Sequence, residues 1–304
     1  MTIMGLPIQT PWSIVLVLAT ILVLLVLLPF RRCQGCQEYP PCHSPTQSPS
    51  SVKPSTVTPR HTNLQMVTDP RDDTVSHFIR TRGDWEPEMA ALLQREIAPG
   101  MTVVCVGAHI GRHVLSAATA VGPSGHVYAF EANPRTYGFC LKNIALNGME
   151  QRVTLFPMAV SDQPGVLEFQ AVQGNTGQSF LGTSSQSQGR TVSLHVPVTT
   201  LDAVLGHLDR IDVLQMDVEG YEAHVLRGSA TLMKKAPPLI VLEWLPSLLS
   251  RAGQSPEDLR DVLHRAGYQL ETNLPNGKTK RLSKSDVKNL HSTNYDTIIA
   301  RQHS

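Results

Sequence analysis

The chain has almost no net charge. Its 26 Lys and Arg offset 25 Asp and Glu over 304 residues, leaving +1 at pH 7. That surplus is too small to draw a polyphosphate backbone, so no nucleic-acid partner is expected. No Asn-x-Ser/Thr acceptor for N-glycosylation occurs, which favours a cytosolic face for the folded part. No G-x-G-x-x-G follows a strand-like run, which disfavours the backbone cradle of a dinucleotide pyrophosphate. No Lys or Arg precedes the first long apolar stretch and no small-x-small cleavage site follows it, which argues against a cleaved secretory signal.

That stretch runs from Trp12 to Phe30, after a short tail of residues 1–11, and carries no charge. As a helix it is long enough to cross a hydrocarbon layer of about 30 Å. Arg31 and Arg32 follow at once, so the positive-inside rule places the carboxyl-terminal side in the cytosol of a single-pass membrane protein. Residues 31–65 read as a linker. Cys33, Cys36 and Cys42 lack the folded scaffold of a zinc site and read as juxtamembrane acylation sites or reduced thiols. The Pro- and Ser-rich segment from Tyr39 to about Arg60 has too little apolar surface to offset its ordering entropy and reads as a tether.

Residues 66–304 carry the folded domain. Val103 to Gly111, Val-Val-Cys-Val-Gly-Ala-His-Ile-Gly, passes from a β-branched run through small residues into a helical pattern. A strand feeding a helix through glycines brings backbone N–H groups and the positive end of a helix dipole to a ligand. A second short strand, His126 to Phe130, ends in Glu131, an acid placed to bind both ribose hydroxyls. Without the phosphate glycines, this pattern favours an adenosyl ligand, S-adenosylmethionine, over a nicotinamide cofactor. Further strands are expected at Val153 to Val160, Ile211 to Val218 and Pro238 to Trp244, with helices between them and a glycine-rich hairpin excursion from Gly165 to Pro197. Two later strands, near Tyr268 to Glu271 and Tyr295 to Ala300, could form an antiparallel edge, and the basic run Lys278, Lys280, Arg281, Lys284 and Lys288 between them reads as a solvated loop. Strand and helix alternate at least five times, so the fold class is α/β with a doubly wound parallel sheet. Glu131, Asp162, Asp217, Glu219 and Glu243 all fall at carboxyl ends of strands, the edge where such sheets bind ligands.

Seven segments in order resemble the FkbM family of methyltransferases: Trp85-Glu86, Val-Gly-Ala-His-Ile-Gly, Ala-Phe-Glu-Ala-Asn-Pro, Asn-Ile-Ala-Leu-Asn-Gly, Ala-Val-Ser-Asp, Thr-Thr-Leu-Asp, and Met-Asp-Val-Glu-Gly-Tyr-Glu with Val-Leu-Arg-Gly after it. The match spans Asp72 to Tyr268. The resemblance implies a Rossmann-like seven-stranded sheet, S-adenosylmethionine as donor, and transfer to a hydroxyl of a sugar, small metabolite, glycan or lipid. Carried over, Gly107, Ala108, His109 and Gly111 form the methionine-side loop, Glu131 holds the ribose, and Ser161 and Asp162 lie near adenine. The family has Asp, Asn and Lys where Cys105, His109 and Gln215 stand. The missing carboxylate at Cys105 removes a partner for the methionine ammonium or the loop amides.

For the chemistry, Asp217 is the expected proton acceptor and Glu219 a second polar clamp or a cap, with His113 and His224 as weaker candidates. An Asp-x-Glu pair could hold a divalent ion, but nothing else in the sequence completes such a site, so no metal is expected. Cys105 and Gln215 motivate the rival reading, a cofactor-binding scaffold without turnover. A nicotinamide oxidoreductase is the more distant one.

Overall fold

The computed structural model describes residues 54–183, 190–235, 239–273, 278–289 and 295–302. The apolar run Trp12 to Phe30, the three clustered cysteines and most of the linker lie outside them. Among the described residues no helix is long and apolar enough to cross a membrane.

A short antiparallel hairpin, β1 (Ser55–Val57) and β2 (Met66–Thr68), precedes helices α1 (Val75–Arg82) and α2 (Pro87–Glu96). Ser55–Val57, read above as tether, is therefore paired strand. The expected alternation follows: β3 (Thr102–Val106), α3 (Arg112–Val121), β4 (His126–Phe130), α4 (Pro134–Leu146) and β5 (Val153–Phe156). Helix α4 starts as the sequence dictates, with Asn133 accepting from the Arg135 N–H and Pro134 in the first turn. The excursion comprises β6 (Ala159–Val160), β7 (Gly165–Val172), β8 (Phe180–Leu181) and β9 (Thr191–Thr199), a separate four-stranded sheet. The expected strand Val153 to Val160 is thus two strands. Pro157 has no N–H to continue the ladder, and the chain changes sheets there. Then come α5 (Leu201–Leu205), β10 (Val213–Met216), α6 (Glu222–Arg227), α7 (Ala230–Lys234), β11 (Leu239–Trp244), α8 (Pro246–Arg251), α9 (Pro256–Arg265), β12 (Tyr268–Asn273), β13 (Thr279–Arg281), α10 (Lys284–Lys288) and β14 (Tyr295–Gln302).

The main sheet has the order β13-β12-β14-β11-β10-β3-β4-β5. Strands β11, β10, β3, β4 and β5 run parallel, and β14 runs antiparallel to both β11 and β12. The sheet has eight strands where seven were expected. The extra one, β13, comes from the basic run read as a loop. Its Thr-Lys-Arg sequence suits an exposed edge, where charged side chains oppose pairing with another chain. Alternate side chains feed two cores. Val103, Cys105 and Val241 pack under α2, α3 and α4, and Val104, Val106, Leu214, Met216 and Leu242 pack on the opposite face with Leu226, Leu259 and Leu263.

Register places the site. Met216 is level with Val106 on one side and Leu242 on the other, and Val106 is level with Phe130. One residue further along each strand stand Glu131, Gly107, Asp217 and Glu243, side by side at the carboxyl edge.

Candidate active site

Gly107 is required by a close approach. Its φ is +89°, and a Cβ there would stand 1.8 Å from the Asp217 carbonyl oxygen. Removing the side chain lets the ends of β3 and β10 meet. The N–H groups of Gly107 and Ala108 both donate to the Phe130 carbonyl, at 3.0 and 2.9 Å, fastening the turn to β4. His109 follows at φ +49°, an uncommon conformation for a residue with a Cβ. Its N–H donates to Glu131 Oε2 at 2.6 Å. The other oxygen, Oε1, accepts from the Asn133 N–H at 2.8 Å and from Thr136 Oγ1 at 2.9 Å. The acid ending β4 is thus tied to the glycine turn.

A cavity of about 500 Å³ opens above this edge. Gly107, Ala108, His109, Glu131, Asp217 and Glu219 line it, six of the nine residues selected from sequence. Gly111, Ser161 and Asp162 are not among its walls. Gly111 is a packing glycine: at φ +93° it starts α3, and a Cβ would press on Cys140 Sγ at 3.0 Å. Ser161 is buried where its N–H joins the Thr199 carbonyl. Asp162 pairs with His224 Nδ1 at 3.0 Å; burial pushes its carboxyl up, but the hydrogen bond and charge of His224 outweigh this and hold it below the usual range. Ser161 and Asp162 stand away from this edge because the chain leaves the main sheet at Pro157. The wall there is instead Phe130, Met158, Ala159 and Val160, an apolar surface.

Charge is concentrated at the β10–β11 end. Carboxylate oxygens of Asp217, Glu219 and Glu243 lie within 4.8 Å of one another. Glu243, already placed at this edge by the sequence, adds a third carboxylate to the Asp-x-Glu pair, and a divalent ion is one species such oxygens can hold. Glu219 sits at φ +55°, and its Oε2 accepts from Arg251 at 2.9 Å, while the Arg251 guanidinium lies over the Phe180 ring at 4.1 Å. Among the described residues nothing donates a hydrogen bond to the Asp217 carboxylate. Burial, then the charges of Glu243, Glu219, Glu86 and Glu222, pushes its carboxyl well above the ordinary range. Glu219 is raised as well, by burial, against the opposing pull of Arg251.

His109 bridges to the second sheet. Its Nε2 shares a hydrogen bond with Thr176 Oγ1 at 2.8 Å, while its buried Nδ1 has no partner. Burial lowers the pKa of this ring, with Glu131 pulling the other way, so the neutral imidazole is favoured. The weaker candidates are occupied otherwise: His113 Nε2 donates to Glu86 Oε2 at 2.9 Å, and His224 serves Asp162. Sequence gave little sign of Thr176 or Arg251, since each reaches the site from an element with no strand-end signature. Trp85 and Glu86 were visible only as a motif.

Residues 106–270 match the family described as the methyltransferase FkbM domain, 165 of the 304 residues. The chain belongs to the FkbM methyltransferase family. The hexuronic acid methyltransferase AglP of Haloferax volcanii is 25% identical over 190 residues, covering 61% of this chain and 71% of that protein. The 2-O-methyltransferase NoeI of Sinorhizobium fredii is 26% identical over 170 residues, covering 51% and 67%. Among solved structures, a SAM-dependent O-methyltransferase from Thermotoga maritima is 11% identical with a TM-score of 0.40, covering 76% of this chain and 71% of its own. The methyltransferase FkbM from Methylobacillus flagellatus is 14% identical with a TM-score of 0.42, covering 76% and 61%. This FkbM protein is an S-adenosylmethionine-dependent methyltransferase.

The cavity fits that donor. Its walls carry five carboxylates, of Glu86, Glu131, Asp217, Glu219 and Glu243, against one guanidinium, and that one, Arg112, is committed to Asp84 at 2.5 and 2.8 Å. Such a lining suits a sulfonium cation and opposes a pyrophosphate. Among the described residues no side chain caps α3, so the N–H groups of its first turn, where Arg112 and His113 line the cavity, would suit an anion such as the donor's carboxylate. The unpartnered His109 Nδ1 offers one further contact. The departures at Cys105 and Gln215 leave these walls untouched. Both are buried in the sheet, level with each other on β3 and β10, and outside the lining. Cys105 stands in the apolar core, and burial pushes its thiol up to about 12. It is a neutral core residue outside the cavity lining.

Proposed function

We propose that this enzyme methylates a hydroxyl oxygen of a sugar or other small polar acceptor, free or carried on a glycan or lipid, from a domain tethered to a membrane by Trp12 to Phe30 and facing the cytosol. The uncharged apolar run and the arginines after it support the tether and its direction. The reaction rests on one observation: Asp217, on the cavity wall, carries a carboxylate to which nothing among the described residues donates. Bound S-adenosylmethionine supplies a methyl group on a sulfonium, already a good electrophile. What the chain must add is alignment, exclusion of water and a place for the acceptor's proton. Asp217 takes that proton; its raised pKa brings it closer to an alcohol than an ordinary carboxylate. Glu219, held by Arg251, clamps an acceptor hydroxyl. Glu131 holds the ribose hydroxyls, and Phe130, Met158 and Val160 shed water from the adenine side.

Mass spectrometry of cells expressing the full chain tests this. Metabolites or lipid-linked sugars gaining one methyl should accumulate with the wild type and fall by about 10²–10⁴-fold with Asp217→Asn. Undiminished methylation in that variant would remove Asp217 from its role.

A further inference from the structure

Beside the start of α3 the cavity is lined by a segment that the chemistry above does not use. Trp85 and Glu86 line the cavity, and their loop is pinned from α3 at two successive residues. Arg112, itself buried, grips Asp84 through both carboxylate oxygens and reaches Ser116. His113 Nε2 donates to Glu86 Oε2 at 2.9 Å. Glu86 is held at φ +44°, a left-handed conformation that a residue with a Cβ keeps only when its surroundings enforce it. The Trp85 ring is fixed edge-on against Phe78, with centroids 5.6 Å apart at 89°. His113 Nδ1 is buried and has no partner among the described residues.

The chemistry of this wall selects its ligand. Glu86 presents a carboxylate, which as an anion only accepts hydrogen bonds, and the acids Asp217, Glu219 and Glu243 line the same cavity. The guanidiniums nearby are spent, Arg112 on Asp84 and Arg251 on Glu219. An occupant must therefore bring donors, either several hydroxyls or an ammonium, together with an apolar face for the indole. A carboxylate or phosphate would bring acceptors and like charge. Resting on the methyl-transfer reading above, we infer that Trp85, Glu86 and His113 form the acceptor subsite, and that it takes a neutral or amino-bearing polyhydroxylated ring and rejects an anionic one. Trp85 covers one face of the ring, Glu86 accepts from its hydroxyls, and His113 Nδ1 meets a further polar group.

Saturation-transfer NMR on the full-length protein in detergent, with S-adenosylhomocysteine present, tests this with three probes: methyl glucoside, methyl 2-amino-2-deoxyglucoside and methyl glucuronide. The first two should bind at least about tenfold better than the glucuronide. Trp85→Ala should weaken both by a similar factor, and Glu86→Gln should narrow the discrimination against glucuronide. Calorimetric affinity for S-adenosylhomocysteine should stay unchanged in Trp85→Ala. Equal binding of all three glycosides, binding of none, or binding indifferent to both substitutions overturns the subsite while the donor site stands. If the wild type fails to bind S-adenosylhomocysteine, the methyl-transfer reading fails first and the subsite with it.

Discussion

Asp217 and Glu219 stand two residues apart with the same charge, yet their surroundings give them different work. Glu219 has a guanidinium at 2.9 Å, so its negative charge is answered. Asp217 stands among other acids at the cavity wall with no donor among the described residues, so its proton is held more tightly and its basicity is higher. Glu222 extends the pattern one turn on. Nearly fully buried, it accepts the Val218 N–H at 3.2 Å, and burial pushes its carboxyl up from 4.5 to about 7. In the unfolded chain it loses its proton near 4.5, and in the folded protein near 7. Across that window the folded state binds more protons, so stability falls as pH rises, by about 3 kcal/mol in all. Glu222→Gln keeps an oxygen for Val218 and removes the titration. Chemical denaturation at stepped pH should show the variant's stability flatter than the wild type's between pH 4.5 and 7, and parallel curves would contradict this. At this scale the sequence was legible wherever a functional residue closes a strand. Glu131 and Asp217 were readable because short, mostly apolar strands end on them. Ser161 and Asp162 were misread because a strand-like run hid a change of sheet at Pro157.

The unit that positions the donor is the β3–α3 turn, and its geometry comes from what it lacks. The absent Cβ at Gly107 lets β10 close against it, the His109 N–H reaches Glu131, and the His109 ring reaches the Thr176 hydroxyl from the second sheet. Gly107→Ala would add both a strained φ and a 1.8 Å collision with backbone that no side-chain rotation relieves. Urea unfolding should register a loss of at least about 1–3 kcal/mol, with donor binding weakened as the turn is displaced. A variant as stable as the wild type would show that the two strands can part without consequence. The second sheet was legible only as an alternating, glycine-rich hairpin. That its loop returns to the site, through Gly174 against Asp73 and Thr176 against His109, depends on contacts about 70 to 100 residues apart, which no local pattern encodes.

Over the whole molecule the charges nearly cancel, but in the cavity they do not. Among the described lining residues, five acids face one committed arginine, a local field that favours a cationic donor and acceptors rich in O–H and N–H groups. The α/β alternation, the parallel centre of the sheet and its antiparallel edge were all readable from the period of the apolar residues. The eighth strand was not, because its three residues are mostly charged. The central claim is that the turn at Gly107 and the acid at Glu131 enclose an adenosyl group without phosphates. Titration calorimetry of the full-length protein with S-adenosylmethionine and with NADH tests it most directly. The account predicts one saturable site for S-adenosylmethionine, no heat from NADH, and at least about tenfold weaker donor binding in Glu131→Ala. Binding of NADH in place of S-adenosylmethionine, or donor affinity unchanged by Glu131→Ala, would contradict it.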